Sequence, residues 1–226
     1  MIILLEHKCE VCGRLYRKKL KADGKIVCNK HYKQFKKYGK FTDHSPRIQT
    51  DKNNITIVGD LAYIDLYDKH YEVIAQAIID AEDVDIVKNI KWRLNGNGYV
   101  MNNSSKHTIF LHSLIMHTNE LVDHKDTNTL NNTKENLRIA TKSQNQMNVN
   151  YKGYSLVNNK WIVHIKLHQK QLHLGVYYIE EEAQYARWYA EKVLFGEFAY
   201  PKEEPHIPEH RKAQIQEYIN QKVQRL

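Results

Sequence analysis

An α+β fold made of small modules in series is what this sequence predicts, and three observations carry it. Three cysteines and a histidine stand in two close pairs within the first 31 residues. Over about residues 121–147, two short strand patterns flank a polar, turn-rich loop and run into a capped helix. Between residues 152 and 195, three alternating strand patterns lead into a helix of about fifteen residues.

A chain of 226 residues has room for one large domain or a few small ones. With 42% apolar residues, nine glycines and four prolines, it is neither a disordered linker nor a low-complexity repeat. The net charge of +8 points weakly to a polyanionic partner. Its distribution says more. Residues 1–50 hold thirteen Lys or Arg against four acids, residues 51–95 hold five against nine, and the remainder is near balance. This asymmetry predicts modules with separate jobs. The opening run Met1-Ile2-Ile3-Leu4-Leu5 ends at Glu6. That is far short of the ~20 apolar residues of a spanning helix, and it lacks the length and cleavage site of a signal peptide. The expectation is no membrane and a cytoplasmic, intracellular location.

The first module is set at residues 1–50. Cys9, Cys12, Cys28 and His31 form a Cys-x2-Cys-x15-Cys-x2-His pattern. An odd number of cysteines argues against a self-contained disulfide framework. Two short knuckles joined by a loop deliver the four tetrahedral ligands that Zn²⁺ takes, and four protein ligands leave no open position, so the zinc is expected to be structural. A module this small buries little core, so the metal supplies folding energy. Arg14, Arg17, Lys18 and Lys19 fill the loop, and Lys33 and Lys36 follow among Tyr32, Phe35 and Tyr38. These six cations are expected DNA contacts on a phosphate-binding surface; a solvated charge run is the alternative.

Residues 51–150 are set as a β-rich scaffold followed by the segment that carries the chemistry. Ile55–Val58 and Ala62–Leu66 have strand character, Asn95-Gly96-Asn97-Gly98 is a turn, and Ala81–Trp92 holds a short helix. The acids Asp80, Glu82, Asp83 and Asp85 fit an exposed helix edge better than a metal loop. Beyond them, Leu121-Val122 leads a short strand into Asp123-His124, a loop runs from Lys125 to Thr133, and Leu137–Ala140 is a second strand. Thr141 with Gln144 is a capping box that starts a helix near Lys142.

Asp123-His124, Asn136 in an Asn-Leu pair and Asn145 in the helix make this segment resemble the HNH (His-Me finger) family. Leu111-His112-Ser113-Leu114, Asp126-x-Asn128 and Asn131-Asn132 are similar to its phage and intron-encoded homing endonucleases, with Ser113 where the family often has arginine. The resemblance implies a ββα-metal nuclease core that cuts double-stranded DNA with one Mg²⁺ or Mn²⁺. His124, neutral near pH 7, suits a general base. Asp123 and Asn145 offer hard oxygens to the cation, which stabilises charge on the scissile phosphate. By the same resemblance Asn136 braces the loop that carries His124. Asn148, on the same helix face as Asn145, is a second-choice ligand.

Residues 151–200 form the third module. Lys152–Leu156, Lys160–Leu167 and Gln171–Gly175 alternate as strands, Asn158-Asn159 and Gln169-Lys170 are the turns, and a helix opens at Glu180-Glu181-Glu182 and stops at Gly196. Trp161, the His-Leu-Gly run and Glu-Glu-Ala-x-x-Ala make it resemble the ethylene-response-factor type of DNA-binding domain, which implies a sheet that reads the major groove. Lys160, Trp161, His164, Lys166, Lys170 and His173 are the expected contacts, with Trp161 open between core and DNA. Residues 201–226 are set as a helical tail, an oligomerisation or DNA-tracking arm.

Together these features predict a site-specific DNA endonuclease of the homing type from a phage or bacterial host, monomeric or homodimeric. The alternatives are a non-catalytic DNA-binding regulator and a structure-specific or defence nuclease.

Overall fold

The computed structural model describes residues 7–42, 47–48, 50–103, 107–167 and 170–224. They belong to two compact units, Met1–Leu111 and His112–Leu226.

In the first unit, β1 (His7–Lys8) pairs antiparallel with β2 (Leu15–Tyr16), β3 (Leu20–Ala22) pairs with β4 (Lys25–Val27), and α1 (Asn29–Tyr38) follows. Gly39, at φ 67°, closes α1 by donating its N–H to the Phe35 carbonyl. The core here is small: Cys9, Ala22, Val27 and Cys28 are buried, with Tyr16, Leu20, Tyr32 and Phe35 packed around them. A sheet of β5 (Ile55–Val58), β6 (Leu61–Tyr67) and β7 (Val73–Asp80) comes next, all antiparallel. Its middle strand alternates as a half-buried strand does, with Ala62, Ile64 and Leu66 inside. The helical stretch after β7 is one turn of 3-10 helix, Ala81–Asp83, and α2 (Val84–Val87). Asp83 is buried, so the acidic run is only partly the exposed edge expected of it. β8 (Arg93–Leu94), β9 (Val100–Asn102) and β10 (Ile109–Phe110) complete a second three-stranded sheet. Asn53 clips the two sheets: its amide donates to the Asp65 and Trp92 carbonyls, and its oxygen accepts from the Trp92 N–H.

α3 (Leu111–Ile115) begins at the junction of the units. In the second unit, β11 (Val122–His124) and β12 (Leu137–Ile139) form a two-stranded ribbon that leads into α4 (Lys142–Met147). The capping box is present, with the Thr141 side chain accepting from the Gln144 N–H and the Gln144 side chain accepting from the Thr141 N–H. β13 (Tyr154–Val157), β14 (Lys160–Leu167) and β15 (Lys170–Tyr177) form an antiparallel sheet under α5 (Glu180–Phe195). Asn158 and Asn159 both take positive φ, 48° and 58°, as a two-residue hairpin turn requires. Gln169, expected in the next turn, lies outside the described residues.

α6 (Glu209–Val223) is not a free arm. Ile215 and Ile219 are buried in the same core as Val163, Ile165, Leu174, Ala186 and Ala190. Arg211 forks onto Glu182 at 2.5 and 2.8 Å, and the Tyr189 hydroxyl donates to the Asn220 side chain at 3.2 Å. Two isoleucines one turn apart gave the polar-looking tail an apolar stripe, and α5 covers it. No helix among the described residues is long and apolar enough to cross a membrane.

Candidate functional site

Cys9, Cys12, Cys28 and His31 come together in the first unit, their ligand atoms all within 4.8 Å of one another. His31 Nδ1 stands 3.5 Å from Cys9 Sγ and 3.3 Å from Cys28 Sγ. Tetrahedral zinc, with Zn–S of ~2.3 Å and Zn–N of ~2.0–2.1 Å, requires S···N edges of ~3.6 Å. The cluster is the right size for such an ion. Burial, with neighbouring thiolates, pushes the Cys12 thiol up to about 12, a crowding of like charge that a cation relieves.

Of the expected phosphate contacts, Arg17, Lys18, Lys19, Lys33 and Lys36 are exposed. Arg14 departs from the expectation. Its guanidinium donates to Asp51 at 2.8 and 3.3 Å, so it fastens the cysteine-bearing hairpins to the chain beyond α1.

The second unit holds the chemistry. The register of the ribbon sets Val122 opposite Ile139, Asp123 opposite Arg138 and His124 opposite Leu137. Asp123 and His124 are 5% and 3% exposed. Two donors of Arg138, at 2.9 and 2.6 Å, take Asp123 Oδ2. From α4 it is Asn148, at the C-cap, that reaches Asp123: its amide donates to both carboxylate oxygens, at 3.1 and 3.2 Å, and to the His124 carbonyl at 2.7 Å. Among the described residues, Asn148 Oδ1 is buried with no hydrogen-bond partner. Asn145 lies half-buried one turn earlier on α4.

The connecting loop is braced from within. Asn136 accepts from the Asp126 N–H at 3.0 Å and donates to Asp126 Oδ1 and the Asn131 carbonyl, each at 2.8 Å. His124 Nε2 meets Asn132 Oδ1 at 3.4 Å, and Asn132, fully buried, has its amide fixed on the Thr129 and Leu130 carbonyls. His112, from α3, packs edge to face on His124. Burial lowers the pKa of both histidines, that of His112 to about 4, so both rings are neutral at pH 7.

These residues fit a hard divalent cation. The Asp123 carboxylate and the buried Asn148 oxygen, an acceptor with no donor on it among the described residues, are the hard oxygens available to it, beside the Arg138 guanidinium that already neutralises one carboxylate oxygen. A neutral imidazole beside that carboxylate can take a proton from water.

Arg138, Asn132 and Asn148 carry much of this geometry; the sequence marked Asn132 only as part of the Asn131-Asn132 resemblance, Asn148 as a second-choice ligand, and Arg138 not at all. One signal for Arg138 was available. Setting the apolar Val122 and Ile139 of the two strands against each other pairs residue 123 with residue 138, the register observed.

In the sheet, Trp161, Val163 and Ile165 face α5, and Trp161 packs against the core with Tyr154. Trp161 therefore does not share the open face with Lys160, His164 and Lys166. Lys170 pairs with Leu167, on the α5 side. His173 pairs with His164, ring centroids 5.1 Å apart, and belongs to the open face. A cleft of about 1000 Å³ runs between α4 and β14, lined by Ser143, Gln146, His164, Lys166 and Arg187 among others.

A strand–loop–strand–helix unit with a carboxylate, a neutral histidine and helix-borne amides at one point defines a ββα nuclease. The model of the HNH endonuclease family matches residues 118–147, which span the ribbon and α4. An uncharacterized HNH endonuclease of Acanthamoeba polyphaga mimivirus is 30% identical over 184 residues, taking in 72% of this chain and 92% of the viral protein. The chain belongs to the HNH endonuclease family. It is a nuclease, its substrate is nucleic acid, and enzymes of this family use a divalent metal.

Proposed function

We propose that this endonuclease cuts double-stranded DNA at a specific site, in the manner of a homing endonuclease. His124 is the general base. Asp123 and Asn145 hold one Mg²⁺ or Mn²⁺, and the orphaned oxygen of Asn148 is available as a further ligand. The observation that carries this reading is the junction of Asp123 and His124 at the end of β11, with Asn148 of the α4 C-cap bonded to both. The bound cation would polarise the scissile phosphate and stabilise the leaving oxygen. His124, neutral and held by Asn132, accepts the proton of the attacking water. Asn136 keeps the 125–136 loop closed beneath it.

Recognition falls to the flanking modules. The Cys9–Cys12–Cys28–His31 group holds a structural Zn²⁺ and presents Arg17, Lys18, Lys19, Lys33 and Lys36 to phosphates. The open face of the C-terminal sheet presents Lys160, His164, Lys166 and His173 to base edges. His164 and Lys166 also line the cleft beside α4, along which the DNA would run from the sheet toward the α4 end of the nuclease unit.

Cleavage of a randomised duplex library, set against branched junctions of unrelated sequence, tests this reading. Products that share one sequence around the break support a site-specific enzyme. Cuts that follow the branch point regardless of sequence contradict it and favour a structure-specific nuclease.

A further inference from the structure

Arg138 touches both the cutting site and the C-terminal module. Its Nε and Nη2 both donate to Asp123 Oδ2. Its Nη1 donates to the Glu197 carbonyl, and the guanidinium carbon lies 4.2 Å from the centroid of the Phe198 ring. Glu197 and Phe198 belong to the 3-10 turn, Gly196–Phe198, that follows α5. All three guanidinium nitrogens are engaged within the protein, so Arg138 is a positioning residue and does not reach the substrate.

The geometry has a direct consequence for Asp123. Two charged donors on one oxygen pin Oδ2 in place, and the Asn148 amide, which donates to both oxygens, then sets the tilt of the carboxylate about that anchor. With Oδ2 taken by Arg138 and shared with Asn148, Oδ1 accepts from Asn148 alone among the described residues and is the oxygen left for a cation. The pair is buried, its side chains 9% and 6% exposed, so neither charge can turn to water if the other moves. What keeps the guanidinium from swinging is the turn: a carbonyl at one edge and an aromatic face above it.

We propose that the 196–198 turn of the C-terminal module orients the Asp123 carboxylate through Arg138, so that cutting depends on that module being docked. The inference rests on Asp123 being a ligand of the catalytic cation. It makes the module a part of the active site as well as a reader of DNA, and it links binding on the sheet to the metal ligand through α5, the turn and one side chain.

The test uses the full chain in four variants: Arg138→Lys, Phe198→Leu, Phe198→Tyr and Asp123→Ala. Three quantities are measured for each: the single-turnover cutting rate, the affinity for Mn²⁺ by electron paramagnetic resonance, and the affinity for DNA without metal. Arg138→Lys keeps the charge but reaches only one partner at a time, so it reports orientation. It should cut about 10–100-fold more slowly, the scale of a misplacement of about 1 Å, and bind Mn²⁺ more weakly with DNA affinity unchanged. Phe198→Leu keeps apolar bulk without the π face and should lose rate and Mn²⁺ affinity in the same sense, to a smaller extent. Phe198→Tyr keeps the face and should behave as wild type.

The coupling is overturned if Asp123→Ala is inactive while Arg138→Lys and Phe198→Leu keep wild-type rate and Mn²⁺ affinity. It is also overturned if Phe198→Tyr loses as much as Phe198→Leu, since Phe198 then acts by shape alone. If Asp123→Ala itself cuts like wild type, the assignment of the ligand has failed, and that outcome is distinct from the other two.

Discussion

His112 and His124 meet edge to face, their ring centroids 5.3 Å apart and their planes at 88°. Both rings are buried, and burial is the main reason that both titrate low. For His112 the neighbouring His124 adds to burial; for His124 burial outweighs the opposing pull of Asn132, Asp126 and Asp123 and leaves the ring neutral at pH 7.

One consequence is the acid limb of the reaction. A base with a depressed pKa stays unprotonated below the usual histidine value of 6.5. The cutting rate should therefore hold constant from pH 7 down to 6.5 and fall only in more acid solution. A single-turnover profile with metal in excess measures this, and a midpoint above 6.5 contradicts it.

Stability should follow the same sign. His112 has its folded pKa depressed to about 4, so the unfolded chain binds the proton first as pH falls. Its contribution is complete above about 6.5 and is lost as pH drops toward 4, by at most about 3 kcal/mol for one group shifted this far. Urea unfolding of wild type and His112→Phe between pH 7 and 4 should show a smaller acid loss in the variant; parallel curves would exclude His112 as the source.

The sheet makes opposite claims for two of its side chains. Lys166→Ala, on the open face, should weaken DNA binding and lower the salt slope of log K by about 1 with little change in stability. Trp161→Ala, on the α5 face, should cost stability first, on the order of 3 kcal/mol or less because the ring is only partly buried. Fluorescence anisotropy across a salt series, paired with urea melts, separates the two. Equal losses of affinity at unchanged stability would return Trp161 to the DNA.

A Zn²⁺ ion held by the Cys9–Cys12–Cys28–His31 group is expected to act on folding. Purified protein should carry one Zn²⁺ per chain, and Cys9→Ser or a strong chelator should melt α1 and its hairpins, since this small core cannot stand alone. Metal analysis with far-ultraviolet circular dichroism tests it; an unchanged spectrum after zinc loss would contradict a structural role.

Much of the architecture was legible because local signals agreed with one another. Cys-x2-Cys and Cys-x2-His fix a metal knuckle by spacing, the Thr141–Gln144 box marks a helix start to the residue, and Asn158-Asn159 supplies two left-handed turn positions. What was not legible depends on pairing across space. Arg138 stands 15 residues from Asp123 and 59 from Glu197. Asn148, the second-choice ligand of the sequence reading, reaches the carboxylate from the C-cap of its helix. The tail helix was misjudged because its mean polarity hides two isoleucines that α5 covers. Arg14 looked like a phosphate contact until Asp51 proved close enough to claim it.

In the proposed mechanism His124 performs the chemistry at a cation-dependent site. Plasmid cutting by wild type and His124→Ala, with Mg²⁺ or Mn²⁺ and then with EDTA, tests it most directly, alongside DNA affinity for both proteins. The account requires metal-dependent conversion of supercoiled DNA to open-circular or linear forms by wild type, lost in His124→Ala while DNA affinity is kept. Cutting by His124→Ala at the wild-type rate, or wild-type cutting that survives EDTA, would contradict it.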